Sequence, residues 1–231
     1  AAKRNLTLMV DHTFVYTGAV EKIHELVTTG AIGDVFYYDS TRVNLGLFQR
    51  DVNVIWDLAV HDLAILDHIL DLAPVAISAS GTGHFSGRPE NMAHLTVFYP
   101  RGVVAQINVN WLAPVKVRQT LIGGSKKMIV YNDLDPIEKV KVYDRGVTVG
   151  GGSDDITELM VSYRTGDMWS PHLSFREALV VEIEHFVDCI ATGKAPKTDG
   201  HSGLRVVELL EAAMRSLRQN GHPIDLMPLA R

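Results

Sequence analysis

The chain has 231 residues, 46% of them hydrophobic and 21% charged, with 22 Lys and Arg against 27 Asp and Glu for a formal charge of -5. This is ordinary globular composition, which excludes a disordered or collagen-like chain, and a chain of this length buries roughly 70–75% of its unfolded surface without a metal or disulfide staple. The acidic balance and the lack of a dense Lys/Arg cluster argue against nucleic acid as a partner, and no apolar run approaches the roughly 20 residues that cross a bilayer.

Leu6 to Val10 reads as a buried strand with almost nothing before it, so the chain is expected to be the later part of a longer polypeptide. Ala19, Val20, Ile23, Leu26 and Val27 recur at helical spacing up to Gly30, a glycine C-terminus. Val35 to Asn44 is β-rich and leads into an irregular loop, Leu45 to Asn53. A helix follows, with Leu58, Ile65, Leu66, Ile69 and Leu70 on one face, Asp57 as N-cap and Pro74 beyond its end. From Pro74 to about Arg164 come short β-rich runs: Val75 to Ala79, Ala93 to Tyr99, Val103 to Trp111, Val115 to Ile122, Lys127 to Tyr131 and Lys139 to Tyr143. Turn chemistry at hairpin spacing separates them, which predicts a mostly antiparallel sheet. Gly150 to Ser153 reads as a mobile loop.

Two long helices close the chain. The first carries Leu179, Val180, Ile183, Phe186, Val187 and Ile190 on one face. The second carries Leu204, Val207, Leu210, Met214 and Leu217 and stops at Asn220-Gly221. Cys189, the only cysteine, sits among Phe186, Val187 and Ile190 and is expected in the core of a protein from a reducing compartment. With no secretory leader, a cytoplasmic location is the default.

The glycine motifs carry no phosphate chemistry. Gly81-Thr82-Gly83 follows a strand but leads through Arg88-Pro89 into another strand, whereas a dinucleotide site needs its glycines to open a helix. Gly123-Gly124-Ser125 reads as a hairpin turn. Gly200-His201-Ser202-Gly203 follows a polar loop, not a strand, and is no nucleophile elbow.

The chemistry lies in Trp56-Asp57-Leu58-Ala59-Val60-His61-Asp62. Four residues apart on a helix, Asp57 and His61 share a face and can meet. A carboxylate favours the charged imidazole and a nearby helix N-terminus disfavours it, which leaves His61 near neutral pH, where a general base works best. From spacing alone, a histidine in the first turns of a capped helix is more often structural than catalytic. His61, Asp62 and His68 suggest a metal, but no further ligand falls at a metal-site spacing, so none is assigned.

These segments, with Val10 to Tyr16, Gly30 to Val35, Glu184-His185-Phe186 and Asp199 to Ala213, resemble the Gfo/Idh/MocA family of nicotinamide-dependent oxidoreductases over nearly the whole chain. Arg42-Val43-Asn44-Leu45-Gly46 with Asn53 to Asp57 resembles the branch acting on nucleotide-linked sugars, the 3-dehydrogenases of UDP-N-acetyl-hexosamine or hexosaminuronate. The resemblance implies an α/β (α+β) fold, an open mostly antiparallel sheet with helices on one face. Residues 1–17 would be the last strand of an N-terminal Rossmann domain, and 18–231 the substrate-binding and oligomerisation domain. The family's Asp-x-x-x-His motif matches Asp57 and His61, so His61 would take the sugar hydroxyl proton while Asp57 orients it. His12, Tyr16, Arg42, Asn44, Lys116 and Arg118 are candidate sugar or phosphate contacts, though the cations could equally be solvated surface charge.

NAD or NADP would serve the parent enzyme. The family's glycine fingerprint and Glu-Lys-Pro are absent here, so this chain alone is expected to bind no cofactor and to be inactive. The open sheet face, apolar if it serves as an interface, would make a homo-oligomer. The rival reading is a non-catalytic binding or assembly module with the same fold.

Overall fold

The computed structural model describes residues 1–46, 51–144, 146–149, 161–164 and 166–226. Part of the loop expected between Leu45 and Asn53 and the whole of the glycine-rich loop at 150–153 lie outside the described residues. A nine-stranded sheet dominates. In chain order its strands are β1 (Val35–Leu45), β2 (Ala76–Thr82), β3 (Met92–Phe98), β4 (Val104–Asn110), β5 (Leu112–Gly124), β6 (Met128–Asn132) and β7 (Val140–Tyr143). A separate hairpin, β8 (Gly146–Val149) with β9 (Val161–Arg164), comes next, and the short edge strands β10 (Met168–Trp169) and β11 (Ile224–Asp225) complete the large sheet.

The spatial order is β10-β7-β6-β5-β1-β4-β3-β2-β11. Every pair is antiparallel except β1 with β4, because β1 is joined to the β2-β3-β4 meander by a helical crossover instead of a hairpin. Both sequence-predicted glycine turns fall in such hairpins, between β2 and β3 and between β5 and β6.

Helices α1 (Gly18–Thr28), α2 (Val60–Ile69) and α4 (Gly200–Arg218) pack against one face of this sheet. Alternation in the strands decides which side chains meet them: Ile77, Leu95, Val97, Ala105, Ile107, Ile122, Ile129 and Val142 are inward and almost wholly buried. Helix α2 lies innermost, between α1 and α4. It buries Leu63, Ala64, Ile65, Leu66 and Ile69, so it is apolar nearly all round, not along one face as predicted. Asp199 caps α4 by accepting from the His201 and Ser202 amides at 3.0 and 2.9 Å. Arg205 forks onto Asp67 at 2.7 and 2.8 Å, tying α4 to α2.

Four expectations need correction. Leu6 to Val10 forms no strand: it has a single bridge, Met9 to Asp199, and Leu6 and Leu8 are exposed, since no neighbouring strand covers them among the described residues. Helix α3 (Ala178–Thr192) is turned outward. Its predicted core residues Leu179, Val180, Ile183, Val187 and Ile190 are 43–58% exposed, while Glu182 and Cys189 are buried. At the start of α4, Leu204 and Val207 are likewise exposed, and the buried side is that of Val206, Leu209, Leu210 and Ala213. The open sheet face is only partly apolar. One row across it, Phe98, Val104, Tyr37, Gly123, Met128, Tyr143 and Met168, is apolar, and the ring of Tyr37 lies flat where Gly123 has no side chain. The next rows carry Ser78, Thr96, Gln106 and Asp39, then Ser80, His94, Asn108 and Thr41.

One ion pair is buried in the apolar layer. Arg42 on β1 and Asp62 on α2, 4% and 2% exposed, meet through Nε and Oδ2 at 2.7 Å, and the Tyr38 hydroxyl donates to Asp62 Oδ1 at 3.1 Å. Arg42→Met leaves the Asp62 carboxylate buried without its counter-charge, and a loss of about 3–5 kcal/mol in urea denaturation is expected. Arg42→Met combined with Asp62→Leu removes both charges and is expected to recover most of that loss.

Candidate active site

The helix that carries the Asp-His motif begins irregularly. Residues Ile55–Ala59 form a π-helical turn that runs into α2, a distortion common where a helix meets a functional site. Asn53, not Asp57, starts it: its Oδ1 accepts from the Trp56 amide at 3.3 Å, and its carbonyl accepts from the Asp57 amide at 3.1 Å. Asp57 is thus a residue of the π turn, and the N-cap expectation is corrected. Its carboxylate accepts the Trp111 indole N–H at 2.8 Å. Trp111 packs over Gly46, where a Cβ would collide with the indole.

Asp57 and His61, expected to meet on one helix face, are not hydrogen-bonded to each other: the carboxylate turns to Trp111 and acts on the imidazole only through its charge. His61 instead packs its ring against Phe14, centroids 4.8 Å apart and tilted by 56°. Phe14 also takes the Arg42 guanidinium at 4.6 Å and that of Arg118 at 5.7 Å from its centroid. Arg42 and Arg118 are direct cross-strand partners on β1 and β5. Behind Arg118, Asp133 gathers Arg118 Nη1 at 3.3 Å, the Tyr131 hydroxyl at 3.1 Å and Lys139 Nζ at 3.2 Å. Burial raises the Asp133 carboxyl, but these donors, Lys139 foremost, bring it below its ordinary value.

Burial, reinforced by Arg42 and Arg118 and opposed by Asp62 and Asp57, pushes His61 down to about 4. The near-neutral value expected from the motif is corrected accordingly: the buried setting outweighs the nearby carboxylates. The imidazole is neutral at pH 7 and can accept a proton.

The remaining predicted residues divide. Arg118 and the exposed Lys116 lie on β5, and Asn44 is half-buried on β1. Tyr16 is 1% exposed, with its hydroxyl 2.9 Å from Thr198 Oγ1; although it borders a surface cavity with Glu21 and His172, it is too buried to contact a sugar in this conformation. Arg42, held by Asp62, and His12, 8% exposed, are likewise too buried to do so in this conformation. His68, considered as a metal ligand, stacks on His24 at 4.3 Å. Among the described residues no group of three or more His, Cys, Asp or Glu side chains is arranged to hold a metal.

Sequence reasoning passed over Phe14, Trp111 and Asp133. For Asp62 a signal was present, since a carboxylate inside an apolar helical run demands a buried counter-charge. Phe14 had none beyond its place between His12 and Tyr16.

Fold and site together define an α/β domain that carries a neutral, partly accessible histidine over the central strands of an open sheet. Residues 24–226 match the model of the oxidoreductase family C-terminal alpha/beta domain, and the chain belongs to this family, Gfo/Idh/MocA. UDP-N-acetylglucosamine 3-dehydrogenase from Acidithiobacillus ferrooxidans is 24% identical over 214 residues, covering 90% of this chain and 61% of that protein. Its solved structure matches with a TM-score of 0.76 at 22% identity, over 95% of this chain and 65% of that one. Aldose-aldose oxidoreductase from Caulobacter crescentus, complexed with glycerol, matches at 0.78 and 16% identity, covering 97% and 65%. An inositol dehydrogenase homologue from Azotobacter vinelandii, complexed with NADH and myo-inositol, matches at 0.74 and 15%, covering 98% and 66%. At these identities the structures establish the fold. The chain spans about two thirds or less of each relative's length.

The low value of His61, and of His68, which burial and His24 also push to about 4, makes stability depend on pH. Both rings bind protons more readily unfolded, at about 6.5, than folded. Their stabilisation is complete above about pH 6.5 and is lost as pH falls toward 4. Glu182, raised to about 7 by burial and by Asp11, acts oppositely: its contribution is full below about 4.5 and lost by 7. Two histidines against one glutamate predict a net fall in melting temperature from pH 6.5 to 4, and a shallower fall in His68→Gln.

Proposed function

We propose that this chain is the substrate domain of an NAD(P)-dependent sugar oxidoreductase, with His61 accepting the proton of the sugar hydroxyl whose carbon is oxidised. The observation that carries this reading is the neutral His61 ring packed on Phe14, near the charge of Arg118 and without a hydrogen-bond partner among the described residues. Asp57, fixed by Trp111, supplies a negative charge on the same helix that stabilises the imidazolium as it forms. A nucleotide-linked sugar is the proposed substrate, and Arg118, Lys116 and Asn44 are its proposed sugar and phosphate contacts.

A dinucleotide does not fit the described residues. Both glycine turns close hairpins, and the amides that open α4 are taken by Asp199. The cofactor is therefore assigned to a Rossmann domain outside these 231 residues, and the chain alone is proposed to be inactive. The outward apolar stripe of α3, with Leu6, Leu8, Ile190 and Leu204 around one shallow cavity, is the proposed seat of that domain, since isolated domains rarely expose so large an apolar patch. The open sheet face is the proposed homo-oligomer interface.

In the full-length enzyme, His61→Gln is expected to lower kcat by roughly 10²–10⁴-fold with KM little changed; unaltered turnover would overturn His61 as the base, and a wild-type protein with no turnover would favour the non-catalytic module. Ile183→Glu with Val187→Glu is expected to leave the stability of the isolated chain within about 0.5 kcal/mol. In the full-length enzyme the same pair is expected to lower activity and raise protease sensitivity between the domains.

A further inference from the structure

The two arginines beside His61 are placed at a cost. Arg42 and Arg118 face each other directly across β1 and β5 on the helix side of the sheet, and like charges directly opposed are unfavourable. Each is compensated by a different carboxylate, Asp62 and Asp133. Each still leaves one buried nitrogen, Arg42 Nη1 and Arg118 Nε, without a hydrogen-bond partner among the described residues. An apolar pair would pack here without that penalty.

We infer that Phe14, Arg42 and Arg118 are positioning residues that hold His61 as the neutral, proton-accepting imidazole. The phenyl ring touches all three groups, so it excludes water from one side of the imidazole and fixes the guanidinium groups near it. The carboxylates that would charge the ring are both engaged elsewhere: Asp62 by Arg42 and Tyr38, Asp57 by Trp111. From β1, Arg42 and Tyr38 face the site; from β5, Arg118; beyond them Tyr131, Asp133 and Lys139 form one neutralised cluster. Asp57 and Asp62 are the acids on the helix of His61 itself. The balance at the ring is two cations against two tied carboxylates in a desolvated setting, which agrees with the depressed value of His61. The consequence is a base that stays competent as the surroundings acidify.

The inference deepens the proposed role of His61 and rests on it for its catalytic meaning, but its test needs no turnover. The 231-residue chain is titrated by NMR, following the His61 ring carbon-bound protons. The wild-type midpoint is expected well below the ordinary 6.5. Arg118→Gln is expected to raise it by about 0.5–1 pH unit, the size of one removed charge at partly screened distance. Arg118→Lys is expected to restore it, and Phe14→Leu, which admits water, to raise it as well. An unchanged midpoint in Arg118→Gln overturns the inference; so does an equal rise in Arg118→Lys, which makes the effect one of packing and not of charge. Arg42→Met is a supplementary arm, and if it fails to fold the Arg118 and Phe14 variants still decide. The base assignment fails separately, by full turnover of His61→Gln in the complete enzyme.

Discussion

The Arg42–Asp62 pair is the contact on which the rest of the site depends. Two charges taken out of water on opposite layers of the domain, one on the central strand and one on the innermost helix, must find each other, because neither can remain buried alone. Their meeting fixes the height and rotation of α2 over β1. That in turn decides where the neighbouring residue, His61, emerges. Such a pair adds little to net stability compared with packed hydrocarbon; what it supplies is a directional contact between helix and sheet.

The same pair separates two roles that adjacent carboxylates could otherwise confuse. Asp62 is sequestered and cannot serve as partner to the imidazole, and Asp57 is held by an indole one strand away. The π turn before α2 makes room for this by starting the helix at Asn53 and carrying Asp57 within it. His61 is left half-buried, with a ring contact to Phe14.

Helix α3 shows the limits of pattern reading. Its apolar stripe is real and its helical period was legible, but amphipathicity says only that one face seeks cover, not which neighbour provides it. Here the packing against the Thr13–Tyr16 turn is made by Glu182, His185 and Cys189, and the apolar stripe faces outward. Leu6 to Val10 failed as a strand for the same reason: extended apolar backbone becomes a strand only where a partner edge lies beside it. By contrast β2 to β7 were legible because hairpin turns fix their own partners within a few residues.

The sequence by itself determined the class of fold, the run of hairpins, the family and the Asp57-x-x-x-His61 motif, since turn chemistry, local periodicity and residue spacing are properties of neighbours along the chain. Only the tertiary structure decided that Asp57 bonds to Trp111 and not to His61, that Arg42 and Tyr16 are core residues, and that Phe14 joins His61 to two arginines. Those outcomes depend on desolvation and on side chains up to 182 positions apart, such as Tyr16 and Thr198. Which group charges, which pairs and which stays neutral is set by what else is buried beside it, and no local pattern encodes that.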